Sequence, residues 1–313
     1  MAAPGEMFGI TVKVLLGTVP PIVVDINPAL ASEPWAERGE GPLVEWTVSK
    51  HRSLSPDTGT LAIYNLDIAS RTALRSFVGF PAPLEVVLFV GWNGIPELLA
   101  RGQATRVVPG DYTETDIVTA IEFGDGVLGI RDAPPAGGAE FGQAISTLIP
   151  FVLNLMGLRI SIAALGIINE RGAKFPVPSF QCSLDGEPRD LLAELLASLQ
   201  LDGRIEGNEL VVYEGGLRRD LPDVILLGPA SGLVNQHYVD DGAYEFEALA
   251  QPRCVPGSRI QFANAFLAPV GPVLRVDHVS FSGSSEGAST MSGTARPILP
   301  LATPAPPIDE VLA

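Results

Sequence analysis

The chain has 313 residues, enough for two or three domains, and 46% of them are hydrophobic, so it can build sizeable cores. Its 36 acidic residues against 20 basic ones give a net charge of −16. A surface of that sign repels phosphate backbones and anionic lipid, which excludes nonspecific DNA binding. The first third reads as β-structure. Ile10–Gly17, Pro20–Pro28, Val44–His51, Thr60–Leu66, Pro83–Trp92, Leu98–Gly110 and Thr115–Gly124 are rich in β-branched residues and are punctuated by Gly, Pro, Asn and Asp. Seven short strands of this kind suggest a closed or nearly closed barrel, which removes exposed edges. One helix interrupts them at Asp67–Val78, with Ile68, Leu74, Phe77 and Val78 on one face. Residues 27–42, with three prolines, read as an inserted loop.

From Ala133 the texture changes. A Pro/Gly linker precedes an apolar helical pattern at Ile145, Leu148, Ile149, Val152, Leu153 and Met156, with a kink or early turn expected at Pro150. The apolar stretch Leu148–Ile168 is interrupted by Pro150, Asn154, Gly157 and Arg159, so it reads as a buried helix followed by a strand rather than a membrane span, which needs about 20 mainly apolar residues. Pro188 suits the first turn of a second helix carrying Leu191, Leu192, Leu195, Leu196 and Leu199. Two alternating runs then flank Glu206-Gly207-Asn208, a hairpin signal. The last third returns to strands at Val224–Gly228, Tyr244–Gln251, Ser258–Phe266, Gly271–Gly283 and Ala288–Ile298. In the fourth of these, Leu274, Val276, His278 and Ser280 are expected on one face, and Arg275, Asp277, Val279 and Phe281 on the other. The Pro-rich remainder from Leu299 is expected to be extended.

Motifs that carry chemistry are few. Cys182 and Cys254 lie far apart with only three histidines in the chain, which points to free thiols rather than a zinc site or disulfide framework. The opening MAAPGEMFGITVKV lacks the basic region and apolar core of a signal peptide. Gly124-Asp125-Gly126-Val127-Leu128-Gly129 matches a dinucleotide fingerprint, but Pro134 and Pro135 deny it the following helix, so a turn is expected. His51, Asp57 and Ser53 or Ser55 could be assembled into a triad, yet no nucleophile elbow or oxyanion element accompanies them, and a solvated turn is expected instead. Trp35, Trp46 and Trp92 read as core or interface aromatics. The acidic groups Asp240, Asp241, Glu245 and Glu247 lack calcium-loop spacing, and Glu245 and Glu247 share one face of a strand, as on a wet surface or a negatively charged channel wall.

Trp46–Leu66 joins two strand-like runs through a polar turn and closes on Ile63-Tyr64-Asn65-Leu66. This stretch resembles the tail-hub and baseplate-hub proteins of bacteriophages and related contractile injection machines. The leucine helix and hairpin of Leu191–Tyr213, the Gly228–Leu233 connection and the Cys254–Ile260 segment are similar to elements of the same family. The resemblance implies a mainly β fold with an α+β middle module: a first barrel at 1–132, a helix-plus-hairpin module at 133–216, a second barrel at 217–298 and an extended arm at 299–313. It implies a structural ring, expected to be a trimer, that joins the tail tube or distal tail proteins to a central spike in a virion assembled in the host cytoplasm. DNA would pass through without specific binding. No cofactor, metal, catalytic residue or membrane insertion is expected. Asp240, Asp241, Glu245 and Glu247 become candidate channel-lining residues, and Ile308, Val311 and Leu312 candidate partner-docking residues. The alternative is a tail-associated carbohydrate-binding or cell-wall hydrolytic module. A weaker third option is an unrelated bacterial β-rich enzyme subunit.

Overall fold

The computed structural model describes residues 10–18, 21–26, 42–78, 84–92, 95–112, 116–126, 133–134, 145–174, 187–221, 223–239, 242–264, 266 and 269–298. Strands β1 (Ile10–Leu16), β2 (Ile22–Ile26), β3 (Val44–His51), β4 (Thr58–Tyr64), β5 (Glu85–Trp92), β6 (Ile95–Tyr112) and β7 (Ile117–Gly124) form the first part, with helix α1 (Ile68–Arg75) between β4 and β5. The middle part holds α2 (Ile145–Leu155), β8 (Arg159–Ile160), α3 (Ile162–Lys174), α4 (Pro188–Ser198), β9 (Leu201–Glu206) and β10 (Glu209–Glu214). The last part holds β11 (Val224–Leu227), β12 (Leu233–Val239), β13 (Ala243–Leu249), β14 (Arg259–Ala263), β15 (Pro269–Ser284) and β16 (Thr290–Pro297). The fold is mainly β with an α+β module in the middle, as the sequence leads one to expect.

Both β-rich parts belong to one 13-stranded sheet, whose order runs β12-β13-β16-β15-β3-β4-β7-β6-β5-β1-β2, with β11 and β14 branching from β15. The two parts meet where β3 pairs antiparallel with β15, from His51 opposite His278 to Glu45 opposite Ser284. Their buried side chains form one hydrophobic cluster reaching from Ile10 to Ala295. Alternation explains why: in β3, Val44, Trp46 and Val48 point inward while Glu45 and Thr47 point out.

The Tyr64-Asn65-Leu66 signature has a local cause. Asn65 sits at φ 55°, a left-handed conformation that Asn tolerates better than most residues. Its side chain accepts from the Ile117 N–H and donates to Asp116. Leu66 returns to the core, and Asp67 then caps α1 by accepting from the Ser70 N–H at 2.9 Å. Only Leu74 of the expected α1 face is buried; Ile68 and Val78 are exposed, so the helix lies at the margin of the sheet.

In β15 the expected alternation fails halfway. Leu274 and Val276 are buried, but so are Val279 and Phe281 rather than His278 and Ser280. The register against β16 slips between Val276 and His278, and this bulge hands the core to the opposite parity. Gly293 faces the slip: a Cβ there would stand 2.5 Å from the His278 carbonyl oxygen and 2.9 Å from the Phe246 ring. Gly293→Ala is therefore expected to destabilise the fold by about 1–3 kcal/mol in denaturant unfolding. A neutral result would show that the bulge has room to relax.

Helices α2 and α4 pack against the small sheet β8-β10-β9, and together they form a second cluster centred on Ile149, Val152, Leu192 and Leu195. Helix α2 runs on through Pro150, and α4 starts at Pro188 as expected. The expected strand after α2 is only two residues long, and most of the apolar run beyond it is helix α3. Ser161 signals that start, its hydroxyl accepting from the Ala164 N–H at 3.1 Å. Strand β12 has no alternation to announce it, since five of its seven residues are exposed at the sheet's edge. No helix among the described residues is long and apolar enough to cross a membrane.

Candidate functional site at the junction of the three parts

The β9–β10 hairpin turns through Gly207 and Asn208, at φ 60° and 68°, the signature of a two-residue turn with both central residues left-handed. One face of the hairpin, Leu201, Ile205, Leu210 and Val212, belongs to the helical cluster. The other face carries Arg204, Glu206 and Tyr213; the first part covers it at Arg204, and Gly257 of the last part covers it at Tyr213. Arg204 is consequently only 1% exposed and Tyr213 is fully buried.

The covering groups come from the turn between β3 and β4 and from the end of β7. Arg204 Nη2 lies 2.9 Å from Glu206 Oε1 and 3.5 Å from Asp57 Oδ2. Asp57 also accepts from the His51 backbone N–H at 3.2 Å. Asp125 accepts from the backbone N–H groups of Gly207 and Asn208, so a carboxylate from β7's end caps the hairpin turn. Arg218 closes the arrangement on Glu206 and Asp220. Leu54, from the same β3–β4 turn, inserts into the helical cluster, and Arg52 reaches Asp202 at 3.5 Å. Gly257 passes so close to Tyr213 that a Cβ would stand 2.4 Å from the ring, and at φ +84° only glycine is at ease.

Titration follows from these positions. Burial raises the pKa of Asp57, opposed by Arg204 and Lys50. Burial also raises Asp125, opposed by the two hairpin N–H groups. Glu206 meets a burial penalty too, but Arg204 and Arg218 overcome it and hold its carboxyl below the usual range. Lys50 is lowered by burial and then by Arg204. Burial pushes the Cys254 thiol up to about 12, so it is a core thiol and not a nucleophile.

Beside this cluster a cavity of about 1220 Å³ opens where β5, β6, the hairpin and the Pro229–Gly232 turn converge. Trp92 spans the junction, its indole N–H donating to the Ala250 carbonyl at 3.2 Å. Trp46 is in the core. Trp35 and Cys182 lie outside the described residues.

The histidine and aspartate considered as triad members are not arranged for catalysis. The His51 ring bonds Ser49 Oγ at 3.2 Å and stacks on His278 at 4.4 Å between centroids, while Asp57 meets His51 through its backbone N–H and not through its ring. The expectation of a solvated turn also needs correction, because Asp57 is buried: the hairpin that covers it is remote in sequence. The fingerprint-like Gly124–Gly129 run ends a strand, and its Val127–Gly129 portion lies outside the described residues. Among the described residues no cluster of His, Cys, Asp or Glu is placed to hold a metal ion.

Glu245 and Glu247 are exposed on one face of β13, alternating with buried Phe246 and Ala248. Glu245 pairs with His237 at 3.0 Å across β12. Both carboxylates border a shallow depression of about 270 Å³ with His278 and Thr294. Asp240, Asp241, Ile308, Val311 and Leu312 lie outside the described residues.

With this geometry in view, the fold can be compared with known proteins. The 43 kDa tail protein of prophage MuSo2 from Shewanella oneidensis superposes with a TM-score of 0.57 at 10% identity, over 91% of this chain and 98% of that one. A tail protein from Neisseria meningitidis MC58 gives 0.56 at 9% identity, over 92% and 96%. The fold is that of phage tail proteins. It is also similar, at 0.50 and 12% identity over 84% of this chain and 77% of the other, to an E. coli component of the type VI secretion system described as structurally similar to the T4 tail proteins gp27 and gp5. No family model and no curated protein matches the sequence.

Arg204→Met should cost about 3–5 kcal/mol in urea unfolding at neutral pH, because it leaves buried carboxylates without their cation. The pH dependence has a definite sign. Removing Arg204 raises Asp57 further above its unfolded value, and such a carboxyl stabilises the fold while protonated and loses that contribution as pH rises through its folded pKa. Glu206, held below its unfolded value in the parent, keeps its contribution from neutral pH down to about pH 5 and loses it only as pH falls below the ordinary carboxylate range, so the change over that interval is set by the raised carboxyl of the variant. The variant's deficit should therefore shrink between about pH 7.5 and pH 5, and adding Asp57→Asn should narrow it at pH 7.5. A deficit that widens toward acid would contradict this account of the cluster.

Proposed function

We propose that the chain is a structural hub protein of a phage tail or related contractile injection machine, forming a ring of three copies that joins the tail tube to the central spike. The observation that carries this is a fold shared along nearly its whole length with two phage tail proteins. The E. coli secretion component described as similar to gp27 and gp5 supports the hub as the particular place in the machine. In this role residues 1–132 and 217–298 are the two barrel domains, 133–216 is the module between them and 299–313 is a docking arm. The work is geometric rather than catalytic, and the protein resides in the virion after assembly in the host cytoplasm. Its partners are further copies of itself, tube or distal tail proteins and the spike. DNA passes along a channel whose wall includes Asp240, Asp241, Glu245 and Glu247, the carboxylates keeping phosphates from adhering.

Co-purification with the tube and spike proteins encoded beside it, followed by native mass spectrometry and negative-stain imaging, should give a threefold ring. A persistent monomer that binds neither partner would overturn the proposal.

Deleting 299–313 is expected to leave thermal unfolding of the isolated protein nearly unchanged and to weaken assembly, because four prolines in the first nine positions leave few backbone donors for regular structure. A large drop in melting temperature with unchanged assembly would assign the arm to its own subunit.

A further inference from the structure

At the wall of the junction cavity the hydrogen bonds do not balance. Lys50 is only 5% exposed, and its ammonium has no carboxylate within ion-pair distance among the described residues. It lies 5.8 Å from the centroid of the Phe281 ring. Arg204 Nε and Nη1 are buried and meet no acceptor, and Nη2 has only the imperfectly aligned contacts to Glu206 and Asp57. Both side chains line the cavity. The neighbouring carboxylates, by contrast, are engaged: Asp57 by the His51 N–H and Arg204, Asp125 by two hairpin N–H groups, and Glu206 by Arg204 and Arg218. An ammonium offers three donors and a guanidinium five, so Lys50 and Arg204 bring more buried donors than Asp57, Asp125 and Glu206 engage, while the more exposed Asp223 stands elsewhere on the wall. Such donors are costly to leave unmade.

We propose that the junction cavity is a binding site for a carboxylate carried on an aliphatic body, its charged end meeting Lys50 and Arg204. The rest of the wall decides the body. Leu99, Phe123, Leu249 and Val255 line the same space, and they favour an aliphatic chain over a sugar or nucleotide. The charge decides the head. Asp57, Asp125 and Glu206 stand close by and Glu97, Asp220 and Asp223 line the same space, so a phosphate dianion is repelled more strongly than a single carboxylate held at Lys50 and Arg204. A volume of about 1220 Å³ is ample for a medium-chain acid or for a short apolar peptide bearing Asp or Glu. One segment of this chain has that chemistry: Ile308-Asp309-Glu310-Val311-Leu312.

Isothermal titration of the full-length protein with decanoate tests the site, with decanol as the matched body lacking the charge. Decanoate should bind saturably, and decanol at least about tenfold more weakly, the worth of a charge-assisted hydrogen bond. Lys50→Met should weaken decanoate by a similar factor. Equal binding of decanoate and decanol, an unaffected Lys50→Met variant, or no decanoate binding at all overturns the proposal. Should Lys50→Met fail to fold, amine labelling of the native chain gives an independent readout. The chain has only three lysines, Lys13, Lys50 and Lys174, and decanoate should protect Lys50 alone; unprotected labelling of Lys50 overturns the site. Once decanoate binds, a synthetic 299–313 peptide distinguishes the sources. Displacement assigns the carboxylate to the arm, and its absence assigns it to a free acid, each upholding the site itself.

Discussion

Burial of one guanidinium organises the molecule. Arg204 has no water to solvate it, so the fold must bring acceptors to it, and those acceptors come from the hairpin itself and from the turn that follows β3. A buried charge is tolerated only when paired, and removing a partner costs far more than the pair contributes beyond an apolar substitute. The cluster therefore acts mainly as a specification of geometry. The hairpin can sit on the first strands in one place only, where Asp57 meets Arg204 and Asp125 meets the turn N–H groups. Hydrophobic contact supplies affinity without direction; the charges supply the direction.

The same turn does three jobs at once. Leu54 enters the helical core, Arg52 reaches Asp202 and Asp277, and Asp57 faces Arg204. That concentration explains why the Trp46–Leu66 segment stands out in the sequence as strongly patterned: both its strands and its turn are constrained by distant partners. A surface loop with no such duties would have been free to vary in composition and length.

Much of the architecture is legible from periodicity and punctuation. The strands of the first third, the leucine helix behind Pro188 and the Gly207-Asn208 hairpin all carry local signals that agree with their tertiary surroundings. What is illegible has a physical reason in each case. Strand β12 is exposed along its length, so no alternation marks it. Helix α3 hides in an apolar run that suits either structure, and only the Ser161 cap betrays it. The β15 bulge is invisible because a one-residue slip leaves no compositional trace, although Gly293 opposite is a consequence of it. Of the junction, Asp57 and Asp125 were visible only as members of motifs they do not serve. Arg204 and Lys50 carry no local signal of their role, since burial by a remote segment cannot be read from either segment alone.

The pairing of β3 with β15 brings together residues far apart in the chain; Ser49 and His278, bonded at 3.0 Å, are 229 positions apart. During synthesis the early strands emerge long before their partner, so β3 waits with an unpaired backbone edge and an incompletely covered apolar face until residues near 280 leave the ribosome. Contacts of such separation slow folding, and an open edge in the interval invites association with other chains. Nascent-chain protection is thus a requirement written into the topology, and efficient production depends on how that interval is managed.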